Sequence, residues 1–544
     1  MALRGLYEEA LRHVDGLRGF ELLASLSRLH RVQGSEELTV AAEHVAMMLQ
    51  EAGLETRLEL YRGPLGLWQH YGFWEPRGWR LNSAAVEARR SDGSWEVVAS
   101  SLETPLVAMV HSPPGEVEGP AVYAKPWSGQ RGGGVAVTDQ PGWEGYYVLT
   151  GEQGYEAIIG FHGGPGVRYW GLYPGPFEEP PAAPAASIPL EKALRIIGNR
   201  VRVRVDAEYG LPQTPVLRID VGDGPSRVLL VAHLCHPRPG AHDNASGVAV
   251  VAETLLALNA LRGRLAEAGV GATALLAPEW TGTAAAITQG LLDTSAVVAA
   301  LSVDMVAARL VATGGRLRLI TPPLPLISLL DPVLDAALAA AEPEAYAGLA
   351  PYEWGSDHDV LLGHQVPAGM LNEWPDMFYH SSLDTPDHIS PQRIARLAAV
   401  LAAATLYTAM EPRRAAEAAK AAARALLARQ IIHGGDTEAL ARLQRQAETN
   451  ADAAARALVR GEAAPRPAPA VETRPPYSRT YIYKLLRDRE LLEDSGLREA
   501  ARVLATVAAA TGSWETATLY YRAMRGQAPP ARALEKARLL ARAD

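Results

Sequence analysis

The rhythm of apolar and polar positions changes along the chain. From residue 1 to about 60 it is helical: Leu6, Leu11, Leu17, Phe20, Leu23 and Leu26 recur at roughly helical spacing, and a second helix is predicted from about 36 to 52, with Gly53 as its C-cap. LETRLELY then alternates as a strand. From about 62 to 197 Gly, Pro and Trp become frequent, and short alternating runs such as TPLVAMV and GYYVLTG are separated by turn residues. This predicts a separate β-rich module inserted after the first helices, with VRVRVDAEY and TPVLRIDVG as strands leading back out of it.

The next stretch, VLLVAHLCHPRPGAHDNASGVAV over 228–250, has the composition of a buried strand followed by a polar loop and then helical apolar spacing. GATALLAPEW and AVVAALSVDM predict two more buried strands separated by helices, so His233, Glu279 and Asp304 fall at equivalent ends of three successive strands. Helical connections between buried strands imply a mainly parallel sheet with these side chains gathered along one edge. VPAGMLNEW adds a strand, and a helix is predicted after Ser390 and Pro391, the favoured N-cap and first-turn pair.

Beyond about 411 the pattern is Ala-rich and helical, then Pro-rich in APRPAPAVETRPP, then helical again. The predicted organisation is an α/β domain formed by 1–61 and 198–411, its mostly parallel mixed sheet flanked by helices, with a β-rich insertion at 62–197. A helical extension at 412–460, a linker at 461–476 and a small helical module at 477–544 follow.

Composition narrows the function. A 48% hydrophobic and 21% charged chain can build a large core, and its net charge of −9, with no basic run interleaved with aromatics, argues against nucleic acid as a partner. The single cysteine, Cys235, excludes an intramolecular disulfide, no uninterrupted apolar run reaches membrane-spanning length, and the N-terminus lacks a signal-peptide core. A cytoplasmic protein without a membrane partner is expected, and the helical C-terminal region is a candidate surface for homo-oligomerisation.

Imidazoles and carboxylates at strand ends suit a divalent ion such as zinc. Asp243 and Asn244 sit in the loop before the helix, and His380 in FYHSSLDT is the remaining nitrogen ligand. Asp357 and His358, on a loop preceded by glycine, are placed to orient ligands or bind substrate. Cys235 beside His236 offers a nucleophile only if a histidine on a distant segment served it, so a structural thiol is the preferred assignment.

The series AHLC, GAHDNASG, APEW, LSVDM, GSDHDV and FYHSSLDT resembles the zinc-dependent aminopeptidase family that includes bacterial leucyl aminopeptidase, aminopeptidase S and plasma glutamate carboxypeptidase, over about residues 1–410. The resemblance implies two zinc ions, with cobalt or manganese as alternatives, sharing Asp243 as a bridge next to a cis peptide to Asn244. It implies His233 and Asp304 on one ion, Glu279 and His380 on the other, and a protease-associated-like domain at 62–197. Asn244, Asp357, His358, Glu373 and Asp384 are then candidates for substrate binding or for orienting the ligands.

The chain departs from that family in three places. Family members carry two adjacent glutamates, a base and a ligand, where this chain has Pro278 and Glu279; if Glu279 is the ligand, the assignment its position favours, the base comes from elsewhere, with Glu353 and Glu373 as candidates, and if it is the base, one ion loses a ligand. Cys235 stands where an aspartate usually orients the first histidine. His236 and His242 are additional imidazoles, and His236 is an alternative ligand to His233. The expected activity is removal of N-terminal residues from peptides by metal-activated water. A catalytically silent relative used for binding or assembly, or a hydrolase or cyclase acting on another amide, are the alternatives.

Overall fold

The structure, a computed structural model, describes all residues except 1, 68–70, 72, 433–436, 463–487, 489, 492–493, 526 and 542–544. The expected α/β domain is present. Its eight-stranded sheet runs, edge to edge, Glu55–Arg62, Gln213–Val221, Val270–Ala277, Ser226–His233, Val297–Val303, Ala368–Trp374, Arg316–Ile320 and Tyr346–Ala350. The four middle strands are parallel, and antiparallel pairing appears only towards the two edges. The middle strands are buried on both faces, which is why they read as continuous apolar runs.

Parallel neighbours carry their C-terminal ends to the same side, and the register pairs His233 with Ala277. His233 is thus the last residue of its strand, Glu279 lies two residues beyond Ala277 and Asp304 one beyond Val303. The helix Ser246–Ala260, buried almost throughout, leaves the loop that holds Asp243. It packs against Pro391–Met410, which starts as predicted: Ser390 Oγ accepts from Arg393 N at 3.3 Å, with Pro391 in the first turn. Pro391–Met410 is long and apolar enough to cross a membrane, contrary to the expectation from the sequence, but it is mostly buried among the domain's own helices.

The β-rich insertion forms a second, seven-stranded sheet in the order Trp95–Ser100, Gly78–Arg89, Arg200–Gly210, Gly115–Tyr123, Val135–Thr138, Ala157–Gly160, Ala185–Ser187. Its boundary lies one strand later than expected at 197. Arg200–Gly210 buries Val201, Val203, Val205 and Ala207 in the insertion's own core, and only Gln213–Val221 returns to the first sheet. Two further expectations here fail. GYYVLTG is helical, over Trp143–Tyr147 and Val148–Glu152, because burying Tyr146 and Leu149 three positions apart suits a helical face. TPLVAMV contains a 3₁₀ turn at Pro105–Val107, capped by Thr104, and only isolated bridges after it.

At the other end, Pro412–Ile432 and Thr437–Arg460 form the expected helical extension. Ser495–Thr511, Trp514–Arg525 and Ala533–Ala541 pack on one another as the small module. Most of the expected linker at 461–476, and most of the segment TYIYKLLRDRELLED in the module expected at 477–544, lie outside the described residues.

Candidate metal centre

At the C-terminal edge of the middle strands, nitrogen and oxygen donors converge in two groups of three whose ligating atoms lie within 4.8 Å of one another: His236, Asp243 and His380, and His233, Glu279 and Asp304. Asp243 stands between them. Its Oδ1 is 3.2 Å from His233 Nε2, while its Oδ2 is 3.3 Å from His380 Nε2 and 3.5 Å from His236 Nε2. His233 Nε2 is also 3.3 Å from Asp304 Oδ1.

The partners of each donor fix its orientation. His233 Nδ1 is 2.9 Å from the Cys235 carbonyl and His236 Nδ1 is 2.7 Å from the Pro237 carbonyl. A carbonyl only accepts, so each Nδ1 donates its proton to the chain and each Nε2 is the nitrogen turned towards the carboxylates. The orienting task expected of an aspartate at position 235 therefore falls to the main chain of Cys235, and the side-chain substitution leaves His233 aimed correctly. Asp243 takes its direction from the chain too: Asp384 accepts from the His242 and Asp243 amides at 2.7 and 3.0 Å, and the Asp243–Asn244 peptide is cis. Ser356 Oγ donates to Asp304 Oδ2 at 2.7 Å. His380 is held by the insertion: the Tyr169 amide donates to its carbonyl at 2.6 Å, and Ser382 exchanges hydrogen bonds with Val167.

These residues fit a pair of cations. His236 Nε2 and Asp304 Oδ1 are buried without a hydrogen-bond partner, although buried polar atoms rarely go unpaired. No Lys or Arg among the described residues ion-pairs Asp243, Glu279 or Asp304; the charged contacts of Asp243 and Asp304 are with the histidines of the two groups, a donor set that suits divalent cations. Burial, opposed by His233 and reinforced by Asp304, holds the Glu279 carboxyl well above the usual carboxylate range.

The grouping corrects one expectation and extends another. Glu279 lies with His233 and Asp304 rather than with His380, because it leaves the strand beside the one that ends at His233. His236 is not a substitute for His233; it joins His380 and Asp243 in the other group.

Other candidates sit elsewhere. Glu353 lines the outer part of the cavity, 3.1 Å from Arg318, outside both donor groups. Glu373 is buried behind the site, 2.6 Å from Arg393 Nη2 and 3.3 Å from His242 Nε2, which removes it as a base facing the cavity. His242 turns away between Glu373 and Asp376, and against the cost of burial these carboxylates raise it to about 10. Asp357 accepts from the Trp280 amide and Thr283 Oγ1, both at 2.8 Å, and burial raises its carboxyl to about 6. His358 is buried with Nε2 on the Glu353 carbonyl, and Asn244 bonds the Val303 carbonyl and the Gly247 and Met305 amides, so neither faces substrate.

Residues the sequence did not single out complete the surroundings. Gln33 donates to the Glu279 carbonyl at 3.1 Å, and Tyr169 rests against His236 and His380 with ring centroids 5.3 and 4.6 Å apart. Their segments are far from the liganding loop in sequence, so no spacing signal could have found them. The donors form the floor of a cavity of about 720 Å³ walled by Phe73, Tyr173, Trp280, Trp354, Trp374 and Tyr379.

Residues 216–405 match the model of peptidase family M28. An aminopeptidase from Aneurinibacillus sp. strain AM-1 is 16% identical, with 74% of this chain and 96% of that one covered at a TM-score of 0.51. A zinc aminopeptidase from Bacillus subtilis is 15% identical over 73% and 95%, at 0.53. A peptidase M28 precursor from Shewanella amazonensis SB2B is 19% identical over 75% and 96%, at 0.54. These likenesses establish the fold. No curated protein matches the chain in sequence.

Proposed function

We propose that the protein is a metal-dependent aminopeptidase that removes N-terminal residues from peptides with two divalent ions, zinc first and cobalt or manganese as alternatives. The observation that carries this is Asp243 standing between two donor groups at the floor of a cavity, with an oxygen turned to each. The match to peptidase family M28 over the residues that hold the site supports it.

On this reading the extra imidazole of His236 takes the place of the glutamate that the chain lacks. His236, His380 and Asp243 supply three donors to one position, and His233, Asp304 and Asp243 supply three to the other, so neither position needs Glu279. Three protein ligands with an open position is the pattern of catalytic rather than structural metal sites. Glu279 is then free to act as the proton carrier. Its carboxylate accepts a proton from the attacking water and delivers it to the leaving amine. Bound cations supply Lewis acidity towards the scissile carbonyl and make water acidic enough to attack near neutral pH. The aromatic walls bury the apolar part of a substrate and exclude bulk water.

Elemental analysis of the purified protein, with aminoacyl-amide hydrolysis assayed on the same samples and Asp243→Asn as control, tests the proposal. About two metals per chain with activity that the variant loses is the expected result. Protein that stays metal-free and inactive after zinc or cobalt addition would overturn it and leave a binding module on a peptidase fold.

A further inference from the structure

The C-terminal helical module is part of the cavity wall. Glu499, on the helix Ser495–Thr511, and Arg525, at the end of Trp514–Arg525, line the same cavity as the metal-ligand candidates. The module is clamped to the catalytic domain through the loop after Tyr346–Ala350. There the Trp354 indole N–H donates to Glu499 Oε2 at 3.2 Å, and the Arg502 guanidinium lies 3.6 Å over the Trp354 ring. Two residues further on, Ser356 donates to Asp304. One short loop therefore connects the module to a metal-ligand candidate.

The charges around the outer cavity are unevenly satisfied. Of the two lining acids, Glu353 is paired with Arg318 at 3.1 Å and Glu499 accepts from Trp354. Arg318 is engaged further by Asn372 Oδ1 at 3.2 Å. Arg525 makes no ion pair among the described residues, and Glu499, bonded only to the neutral Trp354 indole, keeps its charge on the same wall, so Arg525 is the one lining cation there that no carboxylate engages.

We propose that Arg525 binds a carboxylate on the leaving-group side of the substrate, making the enzyme selective for short peptides whose free C-terminal carboxylate reaches the outer wall while the amino end lies at the donor groups. This rests on the aminopeptidase reading above. Cavity size and charge agree: about 720 Å³ is a pocket for a small ligand, and a guanidinium presents its donors in a fork that matches a carboxylate. An acidic side chain on the leaving residue offers the same chemistry as a C-terminal carboxylate, and the experiment separates the two.

The full-length, metal-loaded protein, Arg525→Ala and Arg525→Lys are compared on four substrates sharing one N-terminal residue: a dipeptide ending in glycine, its C-terminal amide, the corresponding glutamate dipeptide amide, and an aminoacyl anilide. In parallel, calorimetry measures binding of a reduced-bond dipeptide as free acid and as amide. The wild type is expected to favour the free acid over the amide through KM, and Arg525→Ala to reduce that preference by about 10-fold to 100-fold, the worth of a charge-assisted hydrogen bond. Arg525→Lys should restore part of it. A preference for the glutamate amide over the glycine amide would assign the carboxylate to a side chain instead of the C-terminus.

Equal treatment of acid and amide by the wild type, or a preference untouched in Arg525→Ala, overturns the assignment even if both are hydrolysed. Discrimination in calorimetry without turnover of any substrate keeps the carboxylate site and removes the aminopeptidase reading.

Discussion

Replacing His236 with phenylalanine separates its proposed role as a ligand from its role in packing. The ring is buried, and a phenyl group keeps its volume against Tyr169 and His380. The change removes the Nε2 lone pair 3.5 Å from Asp243 Oδ2 and the Nδ1 proton that the Pro237 carbonyl accepts. Losing a group that merely orients a ligand costs about 10-fold to 100-fold in metal affinity, so losing the ligand should cost that site at least ~100-fold. At about 1.36 kcal/mol per factor of ten, this is roughly 2.7 kcal/mol or more. The Pro237 carbonyl left without its donor adds a folding cost of about 1–3 kcal/mol. The assay is metal content after dialysis against buffered free zinc, with hydrolysis measured on the same samples. The variant should remain folded, keep the ion nearer His233, and require at least ~100-fold more free zinc for the second ion and for activity. A folded variant that holds two ions with wild-type affinity would refute the reasoning that His236 compensates for the single glutamate.

Two further outcomes follow from the geometry. Glu279→Gln should lower kcat by about 10²-fold to 10⁴-fold while elemental analysis still finds the wild-type metal content; loss of an ion with the activity would make Glu279 a ligand instead of the proton carrier. Asp331, buried in the first turn of Asp331–Ala341, has its carboxyl pushed well above the usual range by burial, so the folded state holds a proton that the unfolded state releases near pH ~4. The stability linked to that proton is complete below pH ~4 and lost as pH rises, so Asp331→Asn should melt higher than the wild type at pH 7–8 and the difference should vanish near pH 4. A difference independent of pH in the melting curves would count against it.

Much of the catalytic domain was legible because its signals are local. Buried parallel strands read as apolar runs, Ser390 and Pro391 marked a helix start, and side chains just beyond three neighbouring parallel strands had to share an edge. The failures came where local patterns are ambiguous. GYYVLTG has too few residues for its periodicity to separate strand from helix, and Arg200–Gly210 alternates equally well for either sheet, so only the partners offered by the insertion's core decided its place.

The sequence by itself determined the candidate donors and the order in which they leave the sheet, since each follows from residue type and strand position, and the resemblance to the aminopeptidase family implied the shortage of one glutamate. Only the tertiary structure decided how they are shared. His236 joined His380 because the loop after Ser226–His233 turns back towards a segment more than a hundred residues away, and Glu279 joined His233 because their strands are neighbours. The same holds for Arg525 and Glu499, whose place in the cavity depends on Trp354 packing against a module at the other end of the chain. Strand patterns are set by neighbours along the chain, whereas a site is set by surfaces that meet after folding.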